Sequence, residues 1–435
     1  MSSFVLATLG THGDLNPYVA VALGLQKRGH SVSVATCPSY RGRIESLGLR
    51  FHPLRPDLAE MMKSPETSAR GNDLRHGTEY ILKTLVLPRL RETYDDLTAA
   101  CAGADILVIH PVLLPAPLVA EKMGLKWISV ILSPGIFLSA HDPPLLPPLS
   151  WFYPLRHLGP LPHRLLYRWI DRILRHWMRP VGDLRKQIGL PPSPKNPVLE
   201  GMLSPYGTLA WFSPLIGPPQ VDWPANTKIT GFVFDDGADD GATLYPPNQA
   251  LLDFLDRGDP PVVFTLGTSA VTVADDFYRV SLEVARQGGW RAVLLTGTDE
   301  RNQISKAALP DSVFVTPYAP YSQLFCRAAA VVHSGGIGTV AEALRAGVPM
   351  LIVPHAADQP DNAARVKRLG CGRVIPRARY QPTRAVSELR HLLGNPEYAA
   401  RAGTLAEAIR REGGLTPACN ALEEQAASPF TATPK

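Results

Sequence analysis

Short apolar runs punctuate this chain, and helical patterns fill the gaps between them. Phe4 to Leu9, Ser31 to Ala35, Asp105 to Ile109 and Trp127 to Leu132 form one series; Pro261 to Leu266, Ala292 to Leu295, Val313 to Thr316, Ala329 to Val332 and Met350 to Val353 form another. Runs this short read as buried strands, and strands that alternate with helical patterns predict parallel sheets in an α/β fold. Ser213 to Asp240, between the two series, is rich in proline, glycine and aspartate. The sequence therefore divides into an N-terminal domain over 1–220, a linker over 221–245 and a C-terminal domain over 246–435. Two domains also suit a length of 435 residues, which exceeds one ordinary core.

One helical pattern is strongly two-sided. From Arg164 to Arg179, Leu165, Leu166, Trp169, Ile170, Ile173, Leu174, Trp177 and Met178 are assigned to one face and Arg164, Arg168, Arg172, Arg175 and Arg179 to the other. A helix packed on its domain with a solvated arginine face accounts for this pattern, as does peripheral contact with a membrane surface or attraction of an acidic, lipid-like acceptor.

The densest chemistry lies in Ala329 to Val366. A strand over Ala329 to Val332 runs into His333, Ser334, Gly335, Gly336 and Gly338, a helix begins at Thr339, and a second strand spans Met350 to Val353. The first N–H groups of a helix lack internal partners and carry roughly +0.5 charge from the dipole, so such a turn binds anions, and glycine lets a ligand approach the backbone. His333 and Thr339 bracket the turn as phosphate donors; Glu342, one turn further on, is placed to accept from ribose hydroxyls. Asp358 and Gln359 follow at the carboxyl edge of the next strand, where open α/β sheets bind ligands. Two other readings fit part of this pattern. Gly336, Gly338 and Ala341 satisfy G-x-G-x-x-A with Asp358 about twenty residues on, which suits an NAD-dependent oxidoreductase; or the glycines merely permit tight packing of helix on strand.

A comparable turn opens the chain. Gly10 to Pro17 joins the first strand to a helix expected from Pro17 to Lys27, with proline suited to a first helical turn. It sets His12 and Asp14 at the carboxyl end of that strand, where a cap is the plain role for Asp14. His110 ends the strand over Asp105 to Ile109. Thr268 and Ser269 follow the strand Pro261 to Leu266, where hydroxyls are ordinary helix caps.

Composition narrows the field. A net charge of +5, without an arginine-rich tail, offers no nucleic-acid footprint. The five cysteines, Cys37, Cys101, Cys326, Cys371 and Cys419, form no C-x-x-C pair, so a reducing cytoplasm is expected and neither a disulfide framework nor a zinc site. The first residues lack the charged start of a signal peptide, and the longest apolar stretch, Ile106 to Ala120, is interrupted by His110, Pro111, Pro115 and Pro117. No Asp-x-Asp motif is present to hold a metal ion.

Taken together, Tyr318-Ala319-Pro320, His333 to Gly336, Glu342, Asp358-Gln359 and Asn362-Ala363 resemble the nucleotide-sugar signature of the family 1 glycosyltransferases. The resemblance implies the GT-B fold, two Rossmann-like domains facing each other across a cleft. It assigns Tyr318, with Ala319, to the nucleobase, His333, Gly335, Gly336, Gly338 and Thr339 to the diphosphate with Thr268 and Ser269, Glu342 to the ribose, and Asp358 and Gln359 to the sugar. Plant members usually carry tryptophan in place of Tyr318 and a phosphate turn one residue shorter; bacterial members have the glycine-rich form. Gly13-Asp14-Leu15-Asn16-Pro17 is similar to the bacterial turn whose aspartate is the catalytic base. That makes Asp14 the base, His12 a neighbour that tunes or replaces it, and His110 a partner in a reversed aspartate–histidine pair. Ser139 to Pro144, Asp222-Trp223-Pro224, Thr230-Gly231-Phe232 and Val263-Phe264-Thr265 resemble the rhamnosyltransferase B chains of rhamnolipid synthesis, and Leu405 to Arg411 is expected to cross back to the first domain as in relatives. The implied activity is inverting, metal-independent transfer from a UDP- or dTDP-sugar to a hydroxyl of a small hydrophobic acceptor: a hydroxy-fatty-acid lipid, a phenolic or a sterol-like molecule. No cofactor beyond the donor is implied. The rivals are an NAD-dependent oxidoreductase and a non-catalytic sugar-nucleotide or lipid carrier.

Overall fold

The computed structural model describes residues 1–235, 248–305 and 309–429. The chain divides into two compact units, one comprising 1–67, 75–235 and the segment from 413 onward, the other 68–74 and 236–412.

The first unit holds a seven-stranded sheet of β1 (Ser3–Ala7), β2 (Ser31–Thr36), β3 (Arg50–Pro53), β4 (Ile106–Ile109), β5 (Lys126–Ile131), β6 (Thr208–Ala210) and β7 (Thr227–Ile229), in the order β3-β2-β1-β4-β5-β6-β7. The second holds β8 (Val262–Thr265), β9 (Ala292–Leu295), β10 (Val313–Thr316), β11 (Ala330–His333), β12 (Met350–Ile352) and β13 (Gly372–Val374), in the order β10-β9-β8-β11-β12-β13. Every pairing is parallel. Both are doubly wound sheets whose order reverses beside a central first strand, β1 or β8, and that reversal is where such folds bind ligands. Parallel strands covered on both faces must be apolar throughout, and Val262 to Thr265 and Ile106 to Ile109 are indeed buried at every position.

Three local expectations change. The first helix, α1 (His12–Lys27), begins at His12, so Pro17 lies inside it and Asp14 sits in its first turn. The start is set by Thr11, whose backbone N–H donates to the Asp14 carboxylate at 2.8 Å, not by the proline. The region 221–235, expected to be linker, supplies β7 and buries Trp223, Thr230 and Phe232 in the first unit; the rest of the expected linker, 236–245, lies outside the described residues.

The end of the chain also differs. The helix Pro396–Glu412, which contains Leu405 to Arg411, stays with the second unit, where Arg410 Nε donates to the Arg345 carbonyl at 3.1 Å. The helix Leu415–Ala427 belongs instead to the first unit. Gly24 of α1 lies flush against Cys419, where a Cβ would meet Sγ at 2.9 Å. Buried Lys126 donates to the carbonyls of Gln425 and Ser428, both at 2.7 Å, and Arg28 and His30 both reach Glu423. Among the described residues no helix is long and apolar enough to cross a membrane.

Candidate functional site

In the second unit, four carboxyl-terminal turns of the sheet carry the residues singled out in the sequence. The turn after β11 leads into α2 (Ile337–Ala346), capped at its N-terminus by Gly336 with no side chain bonded to the free N–H groups. Gly335 takes φ +91°, and a Cβ there would meet Ile352 at 2.8 Å and the Gln359 carbonyl at 3.2 Å, so only glycine fits. Gly336 and Gly338 have ordinary φ and open space where a Cβ would stand. Tight packing thus explains Gly335 alone. The two remaining glycines leave the helix N-terminus uncovered.

His333 closes β11 fully buried. Its Nδ1 accepts the Gly335 N–H at 3.1 Å, so the ring proton sits on Nε2, which has no partner. Burial lowers its pKa to about 3. At neutral pH it is therefore an uncharged N–H donor. Thr339 is less open than expected: it is buried in the first turn of α2, its hydroxyl interacting with Tyr321, whose own hydroxyl meets Thr265 at 2.9 Å. Glu342 is occupied too, accepting from Arg345 at 2.8 Å.

The turn after β8 lies against this one. Ser334 Oγ donates to the Leu266 carbonyl at 2.8 Å, and a Cβ on Gly267 would meet the Thr339 hydroxyl at 3.3 Å. Thr268 is exposed and Ser269 half-buried in the short helix Gly267–Ala270, and neither caps it. After β12, Asp358 precedes the helix Gln359–Leu369. Its carboxylate accepts from Asn362 Nδ2 at 2.8 Å, and that amide also donates to the Gly335 carbonyl at 3.1 Å. Gln359 is buried, its amide oxygen accepting the His355 and Ala356 N–H groups at 2.8 and 3.0 Å. It braces the loop, and its Nε2 reaches Ser269 Oγ at 3.4 Å. Beyond β10, half-exposed Tyr318 and buried Ala319 line a largely apolar cavity of about 350 Å³ with Leu251, Leu255, Thr316 and Gln323.

This arrangement argues against the dinucleotide reading. The dinucleotide fingerprint belongs to the first βα turn of its sheet, at the central first strand. Here Gly336, Gly338 and Ala341 follow β11, the fourth strand of the second sheet in chain order, while the turn after the central β8 carries Gly267, Thr268 and Ser269.

The first unit assembles a different set at the end of β1. Asp14 Oδ2 accepts from the Thr11 N–H and, at 3.2 Å, from the Thr11 hydroxyl; Oδ1 stands 3.9 Å from His110 Nε2. Capping therefore uses one carboxylate oxygen and turns the other towards His110. The Val112 N–H approaches His110 Nδ1 at 3.5 Å, which leaves the proton on Nε2, facing Asp14. Burial lowers the His110 pKa, with the Asp14 charge pulling the other way. Gly10 makes the carboxylate's position possible: at φ +137°, a Cβ would lie 2.3 Å from Asp14 Oδ2.

His12 is held elsewhere. Arg43 Nη1 lies 3.0 Å from His12 Nδ1 and 2.7 Å from Asn16 Oδ1, while Nη2 pairs with Asp235 at 2.8 Å. A guanidinium only donates, so His12 Nδ1 is an acceptor and the ring is neutral. Burial first, and then Arg43, lowers its pKa to about 4. With Nδ1 accepting from Arg43, the ring proton sits on Nε2, so His12 stands in this arrangement as a donor. Tyr18 is fully buried, with its hydroxyl unpartnered, its ring 6.4 Å from His110 and 5.0 Å from Trp211. Its i+4 spacing from Asp14 was the signal available for it; Arg43 had none, being brought in by the helix after β2.

Residues 4–102 match the Glycosyltransferase family 28 N-terminal domain, and residues 290–419 match the Erythromycin biosynthesis protein CIII-like, C-terminal domain. Along its length the chain is 34% identical to the O-mycaminosyltylonolide 6-deoxyallosyltransferase of Streptomyces fradiae, over 98% of each protein. It is 28% identical to a sterol 3-beta-glucosyltransferase of Cryptococcus neoformans over 95% of this chain but only 26% of the fungal protein, so it spans about a quarter of that relative. In fold it is similar to the glycosyltransferase VinC, solved in complex with DTDP, with a TM-score of 0.67 at 21% identity over 98% of this chain and 99% of that one.

Proposed function

The chain belongs to the glycosyltransferases of the family 1 and 28 type with the GT-B fold, and from that premise we propose that it transfers a deoxyhexose such as rhamnose from dTDP, or a hexose from UDP, to a hydroxyl of a hydrophobic acceptor. The acceptor classes that fit are the macrolide and sterol types named for its relatives and the hydroxy-fatty-acid lipids suggested by the rhamnosyltransferase motifs. The observation carrying this reading is the neutral His333 donor beside an uncapped, glycine-rich helix N-terminus. It suits a departing diphosphate, because donors fixed in advance stabilise the charge that develops on the leaving oxygen without reorganising.

In the proposed reaction the acceptor oxygen attacks the anomeric carbon while Asp14 takes its proton. The bond from that carbon to the phosphate oxygen breaks, and its electron pair leaves with the nucleoside diphosphate. A single displacement inverts the centre. His110, with its proton towards the carboxylate, orients Asp14 and is not itself the base. Tyr318 and its cavity receive the nucleobase. Asp358 meets the sugar hydroxyls; Gln359, committed to the loop, positions the turn. No metal enters the scheme, so a chelator is expected to leave the rate unchanged.

Asp14→Asn tests the assignment. The variant should bind dTDP or UDP as the parent does, shown by an unchanged thermal shift, while turnover with a dTDP-sugar and a macrolide or sterol acceptor falls by about 10²- to 10⁴-fold. Unchanged turnover would refute the base. Nucleotide binding without turnover in the parent, across the acceptor classes, would favour a carrier.

A further inference from the structure

The helix Leu161–Trp177 does not divide its faces as its sequence suggests. Its inner side is formed by buried His163 with Leu166, Ile170, Ile173 and Trp177 half-buried, whereas Leu161, Leu165 and Trp169 stand 64%, 56% and 54% exposed. These three recur at i, i+4 and i+8, so they form one stripe on the outer side. Arg164, Arg168 and Arg172 share that side and run alongside it, and all three are exposed. The preceding segment, Pro147–Leu158, adds Trp151 at 71% and Leu158 at 72% exposed. Arg168 and Arg172 make no ion pair among the described residues. Asp171, the one acidic side chain in this helix, is held by Arg175 at 2.7 Å and by Asn196 at 2.9 Å.

We propose that this face docks on an anionic bilayer surface. Large apolar side chains, two of them tryptophans, left in water beside a row of arginines match both parts of a lipid interface: the acyl boundary takes the leucines and indoles, and the headgroup phosphates take the guanidiniums. Charge complementarity selects this occupant, because a neutral apolar partner would leave the arginine row stranded. The inference does not depend on which sugar or acceptor is used.

Flotation of the full-length protein with vesicles of phosphatidylcholine containing phosphatidylglycerol tests it, against pure phosphatidylcholine and at low and high salt. Binding is expected only with the anionic lipid and is expected to weaken with salt. R168Q/R172Q should weaken the partition roughly 30-fold, from about two lost surface charges. L165Q/W169Q should weaken it at low and high salt alike and abolish quenching of tryptophan fluorescence by brominated acyl chains. All four side chains are exposed, so both variants should retain the parent's thermal midpoint and nucleotide-induced shift. Absence of binding to anionic vesicles overturns the proposal, as does binding that survives both variants. It is equally overturned if L165Q/W169Q changes the sedimentation coefficient of the protein without lipid, since the face would then be covered by a second copy.

Discussion

At the scale of single residues, the role proposed for the first unit depends on where one carboxylate oxygen points. Asp14 ties its own helix start through Thr11 with one oxygen and turns the other towards His110, which leaves that oxygen for the proposed role. Local sequence offered these readings as rivals, and the geometry is compatible with both: the cap would hold the proposed base still. Gly10 is the residue on which this turns. Gly10→Ala places a methyl on Asp14 Oδ2 in a backbone conformation that alanine resists, so the carboxylate must rotate away. Turnover is expected to fall roughly 10²-fold for a displacement near 1 Å, with nucleotide binding by the second unit intact. A variant with parental kcat would mean that Asp14 has no set position to lose. The strand-to-helix turn that carries Asp14 was legible in the sequence, but the helix start at His12 was not. The setting of His12 was not legible, because nothing in the sequence reveals Arg43 arriving from the helix after β2 to occupy Nδ1 and hold the ring neutral.

Elements were legible where burial is two-sided and obscure at the edges. The central strands β1, β4, β8, β9 and β11 announce themselves as apolar runs, whereas β3, β6, β7 and β13 are short or partly exposed and carry no comparable pattern. Asp222-Trp223-Pro224 and Ser139 to Pro144, separate motifs in the sequence, form one structure. Asp222 accepts from Ser139 Oγ at 2.6 Å and from the Ala140 N–H at 2.7 Å, and Trp223 stacks on Phe137 at 4.2 Å. The glycine-rich turn gives the sharpest prediction at this scale. Gly335→Ala should destabilise the second unit through strain and contact with Ile352. Gly336→Ala and Gly338→Ala meet nothing; alanine at 338, in the first turn of α2, favours the helix by up to about 1 kcal/mol, whereas alanine at the N-cap position 336 costs up to about 1 kcal/mol. If the glycines are there for close approach of a diphosphate, Gly338→Ala should keep or raise the thermal midpoint and Gly336→Ala lower it only slightly, while both weaken dTDP and UDP binding, read by calorimetric titration. Undiminished affinity in both would return the turn to a packing role.

At the scale of the molecule, the same burial that prepares the site makes the protein sensitive to acid. His12, His333 and His355 are neutral in the fold, with pKa values lowered to about 4, 3 and 4, in each case chiefly by desolvation. The unfolded chain returns each to about 6.5. Below that value the unfolded state binds protons that the folded state refuses, so stability present above pH 6.5 is lost as pH falls towards 4. Each histidine contributes a slope of at most about 1.4 kcal/mol per pH unit across that window. Glu423 acts in the same sense at lower pH. Its carboxyl is held below the ordinary range mainly by hydrogen bonds from His30 and Arg28, and protonation would loosen the last helix from the first unit. The thermal midpoint should therefore be flat above pH 7 and fall steadily from pH 6.5 to 4. His355→Gln should flatten the fall: Nδ1 lies 2.7 Å from the Val353 carbonyl, a partner an amide can also serve. A midpoint independent of pH down to 4 would mean that these imidazoles are not buried neutral. His333 would then be a cation at the end of β11, and the departing diphosphate would meet a charge in place of a dipole.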